Sequence, residues 1–450
     1  MLTNTLRGDG LIARAMRSSA WTLGGYGAAQ AIRLASNLIL TRILFPETFG
    51  MMALVTIAMV GLQQFSDVGI GPSINQNRRG DDPDFLDTAW TIQVVRGLML
   101  WGATCALAWP VSQFYGEPQL LHLLPATGLT LVISGFNPTR IETAHRHLMI
   151  GRVTLLDLGS QIVGLAATIG LAIAIRSVWA LVIGGIAASI AKLVLCKVFL
   201  PGQSNRFHWE PAAAHDLIHF GKWIFLSTMC GFMIAQGDRV ILGKYLSLEM
   251  LGIYNIGYFL ASFPLLLGGA VVGRVMIPLY RECPPAASAG NYRKLHLMRM
   301  PLTSLLLALL MVLAFFGVKV VGMLYDSRYH LAGPIVVLIA SLQLPQVIGL
   351  TYDQAALAAG DSRRFFVLLS SRAALMTSFM LIGAHNWGLI GALVGQGLAT
   401  ALVYPVVIWI ARRYRAWDPI HDVTFALVGG AFGALALWLN QDALAPLLMH

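Results

Sequence analysis

Apolar stretches of about twenty residues recur from one end of this chain to the other, and they limit what it can fold into. A helix of that length spans the hydrocarbon core of a bilayer. Charged residues are only 12% of the sequence, whereas a soluble domain has about 25%. The sequence therefore predicts an all-α polytopic membrane protein.

Proline, glycine and clustered charges divide the apolar sequence into about 12 to 13 spans. The predicted spans are 18–44, 46–71, 85–114, 119–145, 150–175 and 177–200, then 213–240, 247–281, 295–324, 331–359, 361–384 and 387–411, with a further span at 423–439. The predicted domains are a six-helix lobe at 1–200, a cytoplasmic linker at 201–212, a second six-helix lobe at 213–411, and a cytoplasmic loop with an extra helix at 412–450.

An internal repeat relates the two halves. The segment Ile39–Gly50, ILTRILFPETFG, aligns without gaps on Ile241–Gly252, ILGKYLSLEMLG. Six predicted spans separate the copies, and an even number gives both halves the same orientation in the membrane. We therefore expect two pseudo-symmetric lobes around a central cleft.

The basic residues indicate the orientation. Of the 31 Lys and Arg residues, 19 fall in segments on the same side as the N-terminus and 6 on the opposite side. Cytoplasmic loops carry such an excess, so we expect a cytoplasmic N-terminus and a location in the bacterial inner membrane. The net charge of +10 is spread over short loops and forms no continuous basic face, so we predict no nucleic-acid partner.

Four arginines interrupt stretches that are otherwise apolar enough to span a bilayer: Arg33, Arg96, Arg274 and Arg372. A charged side chain at the centre of a lipid-facing helix costs about 2.5–3.5 kcal/mol, so each needs a polar environment. The guanidinium fork suits phosphate and diphosphate groups, which makes these arginines candidate substrate-binding residues. The alternative is that each arginine pairs with an acidic neighbour and only holds helices together.

Three embedded carboxylates, Asp67, Asp157 and Asp353, are candidates for proton or sodium coupling. The simpler interpretation is that they are counter-ions of the arginines. We predict no cofactor and no metal site. His215 and His219 share one helical face, but the sequence offers no third ligand beside them.

Arg140, Arg146 and Arg152 form a basic rim at the cytoplasmic end of the fourth span. The rim is either a topology signal facing lipid headgroups or the cytoplasmic admission site for a diphosphate.

Four segments resemble one family, the bacterial polysaccharide-transport flippases. They are Leu44–Gly50, Phe65–Gly71, Thr88–Gly97 and Gly135–Glu142, and the resemblance is to the branch that exports exopolysaccharide or colanic-acid-type repeat units. Multidrug exporters and the peptidoglycan-precursor flippase belong to the same superfamily. The resemblance implies a non-enzymatic transporter that moves an undecaprenyl-diphosphate-linked oligosaccharide from the cytoplasmic to the periplasmic leaflet. It also implies a cationic cavity, in which Arg33 and Arg274 occupy expected positions.

Membrane lipids and the polysaccharide polymerase or export machinery are the further partners that this interpretation implies. Three other functions stay open. A multidrug cation antiporter of the same fold is expected to have an acidic cleft, and a membrane glycan polymerase or ligase a large external loop. A scaffold that binds the polysaccharide machinery without transport is the third.

Overall fold

The computed structural model describes residues 11–66, 69–221 and 225–449, and all regular structure in these ranges is helical. The prediction of an all-α protein is confirmed. The helices are α1 (Leu11–Ile43), α2 (Pro46–Phe65), α3 (Ile70–Gln76), α4 (Pro83–Tyr115), α5 (Leu120–Gly135), α6 (Arg140–Arg146), α7 (Ile150–Ile175), α8 (Val178–Phe199), α9 (Pro211–Gly221), α10 (Phe225–Tyr245), α11 (Leu248–Glu282), α12 (Ala289–Leu324), α13 (Ala332–Leu342), α14 (Leu344–Gly349), α15 (Asp353–Ala358), α16 (Ser362–Arg413), α17 (Pro419–Leu439) and α18 (Gln441–Leu444).

Within the described ranges, eight helices are long and apolar enough to cross a membrane, or ten if each of two bent pairs is one span. The predicted number is higher for two reasons. Polar residues such as Arg33 in α1 and Asp238 in α10 lower the apolarity of those two helices. In addition, α16 is 52 residues long and contains two predicted spans.

The two spans of α16 are joined by a turn. Trp387 and Gly388 have non-helical backbone angles, and the φ of Gly388 is 56°, which glycine adopts without steric cost. Beyond the turn the chain doubles back, because a Cβ at Gly383 would lie 2.0 Å from the carbonyl oxygen of Gly391. The turn lies at the boundary that the sequence predicts between 361–384 and 387–411.

Two predicted spans are broken at related places in the two halves. α5 and α6 meet at an angle of 59° within the predicted span 119–145. The pair Ser327–Leu342 and Leu344–Ala358 bends by 46° within the predicted span 331–359. Broken helices in matching positions are typical of transporters that are built from repeats.

Large apolar side chains are exposed along the long helices, for example at Met99, Leu305 and Leu427, whose exposed fractions are 64%, 59% and 68%. Contiguous apolar exposure of this extent is unfavourable in water and suits contact with lipid. The chain is therefore a multi-pass membrane protein.

The chain divides into two compact units. The first comprises Met1–Leu44 and Val55–Met229, and the second comprises Phe45–Leu54 and Cys230–His450, as far as these residues are described. The start of α2 thus belongs to the second unit and the rest of α2 to the first.

Within the second unit, the two copies of the sequence repeat contact each other. A Cβ atom at Gly50 would lie 2.0 Å from the carbonyl oxygen of Leu248, and one at Gly252 would lie 1.9 Å from that of Pro46. Pro46 and Leu248 are equivalent in the alignment of the repeats, as are Gly50 and Gly252. The α2 and α11 termini therefore cross with local two-fold symmetry, at a separation that only glycine permits.

Candidate functional site: a polar cavity in the first unit

The first unit contains an open cavity of about 870 Å³ between α2, α3, α4, α5, α6 and α8. A volume of this size falls in the range of small-molecule sites in proteins, about 300–1,000 Å³. Its polar lining comprises Gln63, Gln64, Asn75, Gln93, Arg96, Ser134, Glu142, His145 and Lys192. Within a bundle of apolar helices, this concentration of hydrogen-bonding groups indicates a site for a polar ligand.

Gln93 of α4 shapes one wall of the cavity. Its Nε2 lies 3.1, 3.2 and 3.2 Å from the carbonyl oxygens of Ser134, Gly135 and Asn137, to which it donates, and Trp90 Nε1 donates to Phe136 at 3.4 Å. These carbonyls lie at the end of α5 and in the turn that follows, where helical hydrogen bonding stops, and the Ser134 oxygen also accepts from the Asn137 backbone N–H at 3.1 Å. Gln93 and Trp90 therefore satisfy the broken backbone between α5 and α6.

The same face of α4 approaches α5 closely. A Cβ at Gly97 would lie 2.8 Å from the carbonyl oxygen of Leu131, and one at Gly135 would lie 3.1 Å from that of Gln93. Two of the segments behind the family resemblance, Thr88–Gly97 and Gly135–Glu142, thus meet along this contact.

The cationic groups of the cavity already have partners inside the chain. Arg96 Nε donates to Ser66 Oγ at 3.1 Å, and its Nη2 donates to the Gln63 carbonyl oxygen at 2.9 Å. Lys192 Nζ lies 2.9 Å from Asp157 Oδ1. Asp157 thus lies beside the cavity as the partner of a lysine, and not of one of the four predicted arginines.

The uncharged groups are differently placed. The side chains of Gln63, Gln64, Asn75 and His145 make no hydrogen bond with the described part of the chain. Sequence reasoning missed the three amides because it searched for embedded charge. The adjacent amides of Gln63 and Gln64, inside an otherwise apolar span, were the available signal.

Arg33 lines a second, smaller cavity in the same unit. This cavity of about 450 Å³ lies between α1, α7 and α8 and also contains Gln30 and Gln161. The structure therefore places Arg33 and Arg96 in separate cavities.

The two other predicted arginines lie in the second unit. Arg274 of α11 is exposed and has no hydrogen bond or ion pair with the residues that the structure describes. Arg372 of α16 donates through Nη1 and Nη2 to the two oxygens of Asp353, at 3.0 and 3.2 Å. Both partners are largely buried, and this is the counter-ion arrangement that the sequence left open. Asp67 lies outside the described residues.

Arg140, of the predicted basic rim, binds the linker. Its guanidinium donates to the carbonyl oxygens of Gln203, Lys197 and Leu200 at 2.8, 3.0 and 3.2 Å, and to Ser204 Oγ at 3.2 Å. Arg140 therefore fastens the segment after α8 to the start of α6.

The other two arginines of the rim differ from each other. Arg146 binds Asp81 at 2.9 Å and donates to the carbonyl oxygens of Ile74, Asn75 and Asn77 at the end of α3. Arg152 is exposed and has no such partner within the described ranges.

Further contacts hold the linker on the first unit. Arg79 donates to both oxygens of Glu210 at 2.7 Å and to Asp82 Oδ2 at 2.8 Å. The hydrogen bonds from Arg79 lower the pKa of the Glu210 carboxyl and the pKa of the Asp82 carboxyl. Asp87 Oδ1 accepts from the backbone N–H of Arg206 at 3.1 Å. The linker predicted from the sequence is therefore bound along its length and is not a free tether.

Two buried polar clusters in the second unit escaped the sequence analysis. Arg299 of α12 is 1% exposed, donates to Tyr280 Oη at 2.8 Å and to the Ala416 carbonyl oxygen at 3.1 Å, and stacks 4.2 Å from the Tyr352 ring. Arg299 falls near the start of the predicted span 295–324, close to the basic loop before it, and is not one of the four candidate arginines. The cluster ties the loop between α16 and α17 to α12.

The second cluster surrounds Asp238 of α10. Asp238 is 3% exposed and accepts a hydrogen bond of 2.6 Å from Tyr254 Oη, while the adjacent Arg239 donates to Asn255 Oδ1 at 2.8 Å. α11 thus binds one oxygen of Asp238 and the Nε of Arg239, whereas Asp238 Oδ1 is buried without a hydrogen-bond partner among the described residues. In the ranges that the structure describes, no group of three or more His, Cys, Asp and Glu residues could hold a metal ion.

Comparison with known proteins gives relatives of one kind. Residues 39–334 match the family model described as "Polysaccharide biosynthesis protein". The amylovoran biosynthesis protein AmsL of Erwinia amylovora is 26% identical over 42% of this chain and 49% of that protein. The lipopolysaccharide biosynthesis protein WzxC of Escherichia coli (strain K12) is 20% identical over 55% of this chain and 51% of that protein. The chain thus spans about half the length of these relatives.

Solved structures with the same fold are more distant in sequence. The lipid II flippase MurJ in an inward closed conformation superposes with a TM-score of 0.66 at 10% identity, over 95% of this chain and 99% of MurJ. A multidrug resistance MATE family transporter of the MOP superfamily gives 0.62 at 13% identity, over 86% of this chain and 94% of that one. This chain has their fold, and it belongs to the polysaccharide biosynthesis protein family.

Proposed function

We propose that this protein flips undecaprenyl-diphosphate-linked oligosaccharide repeat units from the cytoplasmic to the periplasmic leaflet of the bacterial inner membrane, for polysaccharide biosynthesis. The observation that carries the proposal is the polar cavity of about 870 Å³ inside the apolar helices of the first unit. Among the described residues of its lining, Arg96 and Lys192 are basic and Glu142 is acidic. This balance suits an anionic, hydroxyl-rich ligand better than a cationic drug.

The physical requirement for such a protein is the cost of moving the headgroup. A charged diphosphate and its sugars lose their hydration in hydrocarbon, and this loss is large unless other polar groups replace the water. In alternating access, a polar cavity supplies those groups while the prenyl chain stays in lipid. The protein makes and breaks no covalent bond in this scheme, so we propose that it is not an enzyme and needs no cofactor.

The names of the relatives agree with this proposal. They include a teichuronic acid biosynthesis protein of Bacillus subtilis (strain 168) and a succinoglycan biosynthesis transport protein of Rhizobium meliloti (strain 1021), and MurJ is a flippase of lipid II. The polysaccharides differ, whereas a lipid-linked intermediate is the cargo that a shared fold could move. Polymerase and export machinery acting on the flipped product are candidate partners.

The orientation and energy source belong to the same proposal. The excess of basic residues on the side of the N-terminus favours a cytoplasmic N-terminus. A proton or sodium gradient would drive the cycle, and Asp157 beside the cavity is a coupling candidate because its carboxylate is partly exposed.

The decisive experiment is removal of the gene, followed by identification of the glycolipid that accumulates. The proposal expects an undecaprenyl-diphosphate-linked oligosaccharide, confined to the cytoplasmic leaflet and cleared when the gene is restored. Arg33→Ala and Arg274→Ala should fail to restore export while reaching normal levels in the membrane. Arg293→Ala is the control, because Arg293 is exposed and has no partner among the described residues.

Full export by both Arg33→Ala and Arg274→Ala would contradict the roles of these arginines. A changed drug susceptibility without any glycolipid accumulation would indicate the antiporter instead. Glycosyl transfer by the purified protein would indicate the polymerase or ligase.

A further inference from the structure

The charged and the neutral polar side chains that line the cavity of the first unit differ in their hydrogen bonding. Arg96 donates to Ser66 and to the Gln63 carbonyl oxygen, and Lys192 is paired with Asp157. Gln93 donates its side-chain N–H groups to backbone carbonyl oxygens at the break between α5 and α6. Part of the hydrogen-bonding capacity of each of these groups is therefore already used inside the chain.

The side chains of Gln63, Gln64, Asn75 and His145 line the same cavity and have no hydrogen bond with the described part of the chain. Three of the four are carboxamides. A carboxamide presents two N–H donors and a carbonyl acceptor at once. The lining side chains that are wholly available to a ligand are therefore mostly neutral amides, which offer both donors and acceptors.

These amides match sugar hydroxyls better than they match a diphosphate. A hydroxyl group both donates and accepts, so it pairs with either end of an amide. A diphosphate only accepts, and it gains most from charge-assisted bonds to arginine or lysine. The apolar part of the lining, which includes Ile70, Leu100 and Leu131, suits the C–H faces of sugar rings.

We propose that this cavity is a glycan subsite, in which Gln63, Gln64 and Asn75 recognise hydroxyl groups of the oligosaccharide while the diphosphate is bound elsewhere. The inference rests on the proposed function and assigns one part of the cargo to one place in the chain. The volume of about 870 Å³ is sufficient for a short stretch of oligosaccharide. Amide side chains at the cavity, and not the embedded arginines, then determine which repeat unit is accepted.

The test uses the purified full-length chain in detergent and two probes. One is undecaprenyl diphosphate, and the other is the undecaprenyl-diphosphate-linked glycan extracted from the strain without the gene. The measurement is the affinity for each probe, from the concentration dependence of thermal stabilisation. The wild type should bind the glycan-bearing probe more tightly, and the ratio of the two affinities measures the contribution of the glycan.

Gln64→Met with Asn75→Leu should reduce that ratio by about tenfold, the effect of losing one or two hydrogen bonds, and should leave the affinity for undecaprenyl diphosphate within about twofold. Gln113→Met is the matched control. Gln113 is an exposed amide of α4 outside the cavity lining, and its substitution should change neither affinity. If the double variant does not fold, Asn75→Leu alone tests the proposal, because Asn75 is exposed.

An unchanged ratio in the amide variants would overturn the subsite and leave the proposed function standing. Equal loss of affinity for both probes would overturn it as well, since the amides would then bind the common diphosphate. Absence of any wild-type response to either probe would overturn the proposed function and the subsite together.

Discussion

Gly50 and Gly252 lie at equivalent positions of the sequence repeat, and each packs against the carbonyl oxygen of the first residue of the other copy's helix. The contact is reciprocal, from Gly50 to Leu248 and from Gly252 to Pro46. A match seen in twelve letters of sequence is thus also a physical contact between the termini of α2 and α11. Each copy requires glycine at this position, because the Cβ of any other residue would overlap the opposing carbonyl oxygen.

We expect Gly252→Ala to destabilise the protein by about 1–3 kcal/mol, because its methyl group would overlap the Pro46 carbonyl oxygen and force the helices apart. Gly269→Ala, in the same helix, is the control: a Cβ there meets no atom within 4 Å. Thermal unfolding of the purified proteins in detergent gives the comparison. Equal midpoints for the two variants would show that the crossing is looser than described.

Substitution of Gln93 should disturb the broken span next to the cavity. Gln93→Met keeps the length of the side chain and removes the donors to the carbonyl oxygens of Ser134, Gly135 and Asn137, so we expect a loss of about 1–3 kcal/mol of stability. Gln113→Met, on an exposed position of the same helix, should have little effect. Equal thermal stability of the two variants would mean that water satisfies the broken backbone.

The role of Arg372 can be separated from that of its partner. Arg372→Met should cost about 3–5 kcal/mol because it leaves the buried Asp353 carboxylate without a counter-ion. The double variant Arg372→Met with Asp353→Leu should recover most of that stability. Export should then return with stability if the pair is structural. A stable double variant without export would indicate that the pair acts on the substrate.

Removal of the Arg140 hydrogen bonds should weaken the attachment of the linker to the first unit. Arg140→Ala deletes hydrogen bonds to three carbonyl oxygens, so we expect trypsin to cleave after Arg206 roughly tenfold faster than in the wild type. Arg152→Ala changes an exposed arginine with no partner in the described ranges and should leave the rate unchanged. Equal cleavage rates in the two variants would assign the linker's attachment to its other contacts.

Acid should weaken the same attachment. The hydrogen bonds from Arg79 lower the pKa values of Glu210 and Asp82 below their ordinary values of 4.5 and 3.8. A lowered folded-state pKa gives stability that is complete above the unfolded-state value and is lost as the pH falls through the folded-state value. The thermal unfolding midpoint of the wild type should therefore decrease as the pH is lowered below about 4.5. The decrease should be smaller in Glu210→Gln, which lacks one of the titrating groups. Parallel pH profiles for wild type and variant would contradict this origin.

Much of the fold follows from the sequence, because a bilayer rewards continuous apolar length and penalises each interruption. The turn at Trp387 and Gly388 was predicted between two spans on that basis. Pairing of an embedded arginine with an embedded aspartate was one of the two interpretations considered, and Arg372 and Asp353 are paired.

Other features depend on contacts that no local pattern contains. The break after Gly135 is stabilised by Gln93, which is more than forty residues away, so the span around Gly135 appeared continuous in sequence. Arg299 occurs among basic residues that read as a cytoplasmic loop, yet it is buried against Tyr280 and Tyr352. The neutral residues that line the cavity were not predicted, because the sequence analysis selected charged residues inside the spans and an amide is not charged.

The attachment of residues 201–210 to the first unit determines where the gene can be divided. Arg140, Asp87 and Arg79 hold this stretch from its beginning to its end, so the stretch completes the surface of the N-terminal bundle. A cut after Glu210 keeps this stretch in the same fragment as the helices that bind it. A cut after Leu200 would place the stretch in the other fragment and leave Arg140, Asp87 and Arg79 of the amino-terminal fragment without these covalently attached partners.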